Sequence, residues 1–141
     1  MGAKVALDTP VFIYFFERRS RHAPRCLELL AEVERGTRDA ATSALCCAET
    51  LVRPLALQDE PTVRQYLEWF RHFPHLKVRS VDLEIALLTA ELRAEFKLKA
   101  VDAVVGATAI AEGCSRLVTN DGDLRVLEDR GITVEVLGAP T

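Results

Sequence analysis

VDAVVGATAIAEGCSRLVTNDGDL, running from Val101 to Leu124, decides the fold. Its first half is rich in Ala and Val and carries small residues at Ala103, Gly106, Ala107 and Ala109. That composition predicts a helix from about Val101 to Glu112 that packs close against a sheet. Gly113 suits its C-terminal cap, where the backbone turns left-handed. Leu117-Val118-Thr119 then reads as a buried strand. Thr119-Asn120-Asp121-Gly122-Asp123 forms the polar turn beyond it. A helix that feeds a strand, with acids where the strand stops, is the pattern of an α/β protein. In such folds ligands bind beyond the C-terminal ends of the strands.

The rest of the chain repeats that pattern. Lys4-Val5-Ala6-Leu7 predicts a short buried strand, and Pro10 suits the first turn of the helix after it. A second helix is expected from about Pro24 to Gly36, and a short strand within Asp39 to Ala44. Thr42 or Ser43 offers the N-cap of a helix running toward Val52. Pro61 opens a further helix through Phe70. Lys77 to Val81 alternates like a strand, and Val81 to Phe96 reads as a long helix. A short helix over Leu124 to Asp129 and a strand over Thr133 to Leu137 complete the reading. The prediction is an α/β fold with a mainly parallel sheet of about five strands, flanked by helices on both faces, without repeat or linker.

Bulk properties narrow the class. The 141 residues fit one domain, and 49 % apolar content with no biased segment excludes disorder except over Gly138 to Thr141. The N-terminus does not read as a signal peptide, and the run Val11 to Phe16 is too short to span a bilayer. Cys26, Cys46, Cys47 and Cys114 lack zinc or redox spacing and read as reduced, mostly buried thiols of a cytoplasmic protein. The net charge of −3 gives no general support for nucleic-acid binding. Setting aside Asp8, Glu49, Asp102, Asp121 and Asp123, however, leaves the remainder at +2. The basic residues cluster at Arg18, Arg19, Arg21 and Arg25 with His22, and at Lys97 and Lys99.

Those five acids carry the chemistry. Asp8 ends the first strand and is read both as a helix cap and as a metal ligand, roles that are compatible. Glu49 falls on a stripe made by Leu45, Ala48, Val52, Leu55 and Ala56, where a carboxylate needs a partner. Arg53 at i+4 is one candidate, and a metal facing the sheet end is the other. Asp102 opens its helix as a first-turn acid favoured by the helix dipole, or as a ligand held rigidly near the strand ends. Asp121 and Asp123 form either a turn or a pair directed toward Asp8, with Thr119 and Asn120 orienting them. Carboxylates gathered without a matching Lys or Arg are an expected site for Mg²⁺ or Mn²⁺, and metal-dependent phosphodiester chemistry follows. No Gly-rich phosphate loop, nucleophile elbow or His-rich motif competes.

In their order and spacing these segments resemble the PIN-domain ribonucleases, most closely the VapC-type toxins of toxin–antitoxin pairs. The resemblance rests on Val5-Ala6-Leu7-Asp8-Thr9, on Ser43 through Leu51, on Lys99 through Ala109 and on Leu117 through Asp123. It implies a single PIN domain over residues 1–141, folded as a three-layer sandwich. It also implies an acidic quartet of Asp8, Glu49, Asp102 and Asp121, an additional acid at Asp123, and supporting hydroxyls at Thr9 and Thr119. The implied activity is cleavage of RNA with one or two Mg²⁺ or Mn²⁺ ions. The implied partners are a second copy of the chain and a cognate antitoxin whose C-terminal segment fills the active-site groove. Pro10 stands where the family commonly has Asn or Ser, and Leu124 where Phe is common. Altered site geometry or substrate preference is expected from Pro10.

Two other classes remain in view. One is a catalytically inert module of the same fold that only binds or regulates. The other is a phosphoacceptor receiver domain, which would need an acidic pair after its first strand and a late Lys. Here Asp8 stands alone and no Lys follows Lys99. A haloacid-type phosphatase would need Asp where Pro10 sits.

Overall fold

Val5-Ala6-Leu7 is buried on both faces, as expected of the central strand of a parallel sheet covered on both sides. A computed structural model describes residues 3–138. Strand β1 (Val5–Leu7) leads to α1 (Thr9–Glu17), α2 (Ala23–Arg35), β2 (Ala40–Ser43), α3 (Ala44–Ala56), α4 (Glu60–His72) and β3 (Leu76–Arg79). Helices α5 (Leu83–Phe96) and α6 (Ala100–Ala111) follow, then β4 (Arg116–Thr119), a 3₁₀ helix (Gly122–Arg130) and β5 (Thr133–Val136).

All five strands pair in parallel in the order β3-β2-β1-β4-β5. The chain builds outward from β1 to β3, then crosses back to lay β4 on the free side of β1. Right-handed crossovers therefore put α1 to α4 on one face and α5 with α6 on the other. The reversal makes a crevice between the C-terminal ends of β1 and β4, the expected ligand position in an open α/β sheet. Leu7 pairs with Val118, so Asp8 emerges beside Thr119.

The close packing expected of α6 is present. A Cβ on Gly106 would come within 3.1 Å of Leu92 and Leu127 side-chain carbons, so a larger residue there would require those leucines to shift by a few tenths of an ångström. Across the sheet, Phe12 and Trp69 meet edge-on at 5.8 Å, and Phe16 stacks on Tyr66 at 4.0 Å. These contacts join α1 to α4 and make Trp69 a packing residue.

Several expectations need correction. The segment expected as a short helix over Leu124 to Asp129 is a 3₁₀ helix that starts earlier, at Gly122. The long helix expected from Val81 starts at Leu83, because Asp82 caps it by accepting the Ile85 N–H at 3.0 Å. Val81 lies outside β3. Helix α3, by contrast, runs to Ala56 as its apolar stripe implied, with Ser43 as its cap and Pro54 inside it. Of the end expected to be loose, Gly138 is a turn residue, and residues 139–141 lie outside the described ones. All four cysteines are free thiols, three of them buried. Among the described residues no helix is long and apolar enough to cross a membrane.

Candidate metal centre

Asp8 follows β1 and is only 6 % exposed. One carboxylate oxygen accepts the Thr9 N–H at 2.8 Å and so caps α1, with the Cys46 thiol 3.8 Å away. The other accepts the Thr119 hydroxyl at 2.8 Å. The cap and the Thr119 contact are thus served by different oxygens of one side chain. Burial raises the Asp8 pKa above the ordinary carboxylate value, opposed by the Thr119 and Thr9 hydrogen bonds and reinforced by nearby Glu49.

Thr119 is fully buried at the end of β4. Its hydroxyl donates to Asp8 and accepts the Asp121 N–H at 3.1 Å. It thereby fixes the spacing between the acids that follow the two central strands. Asp121 in turn caps the 3₁₀ helix by accepting the Asp123 N–H at 2.9 Å. The segment is thus a turn whose Asp121 side chain caps the helix that follows.

Asp102 sits in the first turn of α6, where the helix dipole favours the anion. Its pKa is nevertheless raised to about 6, first by burial, then by Asp121, with Asp8 adding to the effect. Oxygens of Asp102, Asp121 and Asp123 all lie within 4.8 Å of one another. At Asp102, burial together with neighbouring Asp121 and Asp8 outweighs the opposing charge of Lys99. The expectation of no matching cation needs one amendment, since the charge of Lys99 opposes the rise.

Glu49 reaches the group by another route. It accepts the Thr9 hydroxyl at 2.7 Å, which links it through Thr9 to Asp8. Its proposed partner Arg53 points elsewhere, to Glu17 at 3.7 Å. The stripe assigned to its helix is also not the buried one. Cys46, Thr50 and Pro54 face the core, while Val52 and Leu55 are 63 % and 58 % exposed.

The structure thus gathers Asp102, Asp121 and Asp123 in one cluster, attaches Asp8 through Thr119, and holds Glu49 one hydrogen-bonded step further. Asn120 does not orient a carboxylate. It donates to the Tyr14 hydroxyl at 3.2 Å, a contact that no sequence signal marks. Pro10 lies in the first turn of α1. Leu124 is fully buried. Beside Glu49, a cavity of about 450 Å³ opens between α1, α3 and α4, lined in part by Phe16, Arg19, Leu57 and Tyr66.

An all-oxygen donor set of clustered, mutually repelling carboxylates fits a hard divalent cation. Asp102, Asp121 and Asp123 would hold it, with Asp8 at hand across Thr119.

A family model for the PIN domain matches residues 5–129. A toxin–antitoxin complex from Klebsiella pneumoniae is similar at 26 % identity and a TM-score of 0.63, over 83 % of this chain and 86 % of that one. VapBC2 from Rickettsia felis, bound to a DNA fragment from its promoter, shares 21 % identity with a TM-score of 0.68 over 94 % and 98 % of the two chains. VapC20 from Mycobacterium tuberculosis, a Sarcin-Ricin loop cleaving toxin, shares 16 % identity with a TM-score of 0.69 over 86 % and 93 %. At these lower identities the likeness is one of fold. No curated protein sequence matches significantly.

Proposed function

The chain belongs to the PIN domain family, and from that premise we propose that it is a metal-dependent endoribonuclease, the toxin of a VapBC-type pair, built as one domain over residues 1–141. The carrying observation is the Asp102, Asp121 and Asp123 cluster, set at the sheet's switch point beside Asp8. In this reading Asp8, Glu49, Asp102, Asp121 and Asp123 hold one or two Mg²⁺ or Mn²⁺ ions. When bound, a divalent ion offsets charge on a phosphodiester and makes water a better nucleophile near neutral pH. Thr119 sets the distance between Asp8 and Asp121, and Thr9 orients Glu49. Asn120 supports the rim through Tyr14 rather than through the acids. The anionic cluster itself repels RNA, so productive contact by this surface requires the cation.

Two surfaces support the proposed partners. Val52 and Leu55 on α3 are uncovered, and Leu83 and Leu87 on α5 are 88 % and 62 % exposed. A second copy of the chain would bury such side chains. The cavity beside Glu49 combines apolar walls with Arg19 and Arg53, which suits a segment of an antitoxin. A cytoplasmic location belongs to the same reading.

The test is to incubate purified, antitoxin-free protein with total bacterial RNA and Mn²⁺ and to map new RNA ends, beside an Asp102→Asn control. Discrete ends from the unmutated protein alone are expected. Intact metal binding without new ends from either protein would favour the inert binding module.

A further inference from the structure

A second concave surface, whose wall includes the C-terminal end of β5, is opposite in charge to the carboxylate cluster. A groove of about 540 Å³ runs along edge strand β5, and Arg21, Arg25, Arg116, Arg125, His22 and Glu135 help line it. Four guanidinium groups against one carboxylate leave three positive charges in excess. Two of the arginines are committed. Arg25 forks onto Glu135 with two contacts of 2.9 Å, and Arg116 reaches the same carboxylate at 3.4 Å. The other two, Arg21 and Arg125, are exposed and form no ion pair among the described residues.

The groove opens at the carboxylate end of the sheet. Leu137 in its wall donates its N–H to the Thr119 carbonyl at 2.7 Å. The His22 ring lies 5.3 Å from that of Tyr14, whose hydroxyl accepts from Asn120, the residue before Asp121. Arg125 projects from the same 3₁₀ helix that carries Asp123 in its first turn. A chain leaving the carboxylates along this path meets Tyr14 and His22, then the two uncommitted arginines. Charged side chains also keep an edge strand from pairing with other chains, but that role requires neither a groove nor a guanidinium pair beside the site.

Resting on the endoribonuclease reading above, we propose that this groove binds backbone phosphates of the RNA strand on one side of the scissile bond. Arg21 and Arg125 are the phosphate contacts, and the Tyr14–His22 pair is a platform for an unstacked base. Guanidinium forks match phosphate oxygens in a bidentate way, and single strands bind where cationic grooves run beside aromatic faces. Glu135 holds Arg25 and Arg116 against the groove floor, which leaves the outer pair to meet the ligand.

The experiment is fluorescence anisotropy of a labelled oligouridylate in EDTA, which prevents cleavage, across a series of salt concentrations. Arg21→Ala/Arg125→Ala is expected to weaken binding at least about tenfold at low salt. It should also flatten the log–log salt slope by about 1.4, the value for two lost single-strand phosphate contacts. Arg21→Lys/Arg125→Lys should keep the slope of the unmutated protein. The charge-matched Arg64→Ala/Arg71→Ala on α4 should bind like the unmutated protein. Wild-type affinity and slope in the Arg21→Ala/Arg125→Ala variant would overturn the proposal; if the unmutated protein still cleaved RNA, the nuclease reading would stand. Neither oligouridylate binding nor cleavage by the unmutated protein would remove both. Arginine-dependent binding of a polyglutamate peptide in place of RNA would assign the groove to an acidic protein segment and overturn the proposal.

Discussion

Helix α6 carries an acid at each end, and the two have opposite surroundings. Asp102 lies in its first turn and Glu112 at its C-cap, about 15 Å apart by helical rise. The helix dipole favours the first anion and disfavours the second. Their pKa values run the other way. Asp102 is raised to about 6, by burial and then by Asp121. Burial also pushes Glu112 up, but hydrogen bonds from Arg79, Lys4 and Lys77 overcome it and hold the group at about 2. Those contacts measure 2.8, 3.0 and 3.2 Å. Burial with neighbouring acids at one end, and basic side chains at the other, therefore run against the dipole. Glu112 is a finished electrostatic structure that ties α6 to β3 and to the residue before β1. Asp102 belongs to a cluster of acids that, in the proposed reading, a divalent cation would complete.

That contrast can be broken most severely at Asp102. Asp102→Asn should lower RNA cleavage by at least on the order of a thousandfold, measured as rate per folded molecule, because a ligand for the cation is lost. Glu112→Gln should act on the fold instead. Its side chain is 5 % exposed, and removing the charge leaves Lys4 and Lys77 without a carboxylate partner among the described residues, while Arg79 keeps Asp82 and Glu84. A loss of about 3 kcal/mol in urea unfolding is expected, with cleavage per folded molecule retained. Thr119→Val removes the hydroxyl between Asp8 and Asp121 while keeping the shape. Mn²⁺ affinity should fall about 10- to 100-fold by titration, more than stability does.

The smallest effect is on pH dependence. Without metal, Asp102 binds a proton more tightly folded than unfolded, so its contribution to stability is present below about pH 4 and lost as the pH rises through about 6. Allowing for solvent screening, the loss is about 1 kcal/mol. It should disappear in Asp102→Asn and be offset by Mn²⁺ in the unmutated protein. Glu112 has the opposite sign. Its contribution is present above about pH 4.5 and is lost as the pH falls through about 2. Thermal unfolding of the metal-free protein across this range reads both.

The strands and the acids were legible in the sequence because short apolar runs ended at Asp8 and Asp121, and a parallel sheet aligns such ends. Ser43 and Gly113 were legible as caps for similar local reasons. The face of α3 was not. Its exposed stripe of Val52 and Leu55 is more hydrophobic than its buried one of Cys46, Thr50 and Pro54. Periodicity finds an apolar face but does not say whether the core or a partner covers it. The partner of Glu49 was missed because i+4 spacing favours Arg53, whereas the hydroxyl it meets lies forty positions away on α1. Tyr14 was missed for the same reason, since its contact with Asn120 is not local in sequence, whereas Lys99 lies three positions before Asp102 and was within reach of a local reading. The 3₁₀ geometry after Asp121 was hidden because Asp-Gly-Asp fits several turns, and only the Asp121 cap distinguishes them.

The most direct test of the claim that α6 begins at an unfinished electrostatic site is calorimetric titration of the metal-free protein with Mn²⁺ at pH 7. Saturable binding, accompanied by a rise in unfolding temperature and abolished in Asp102→Asn but kept in Glu112→Gln, is the predicted result. Equal binding in the unmutated protein and Asp102→Asn, or none in either, would contradict it.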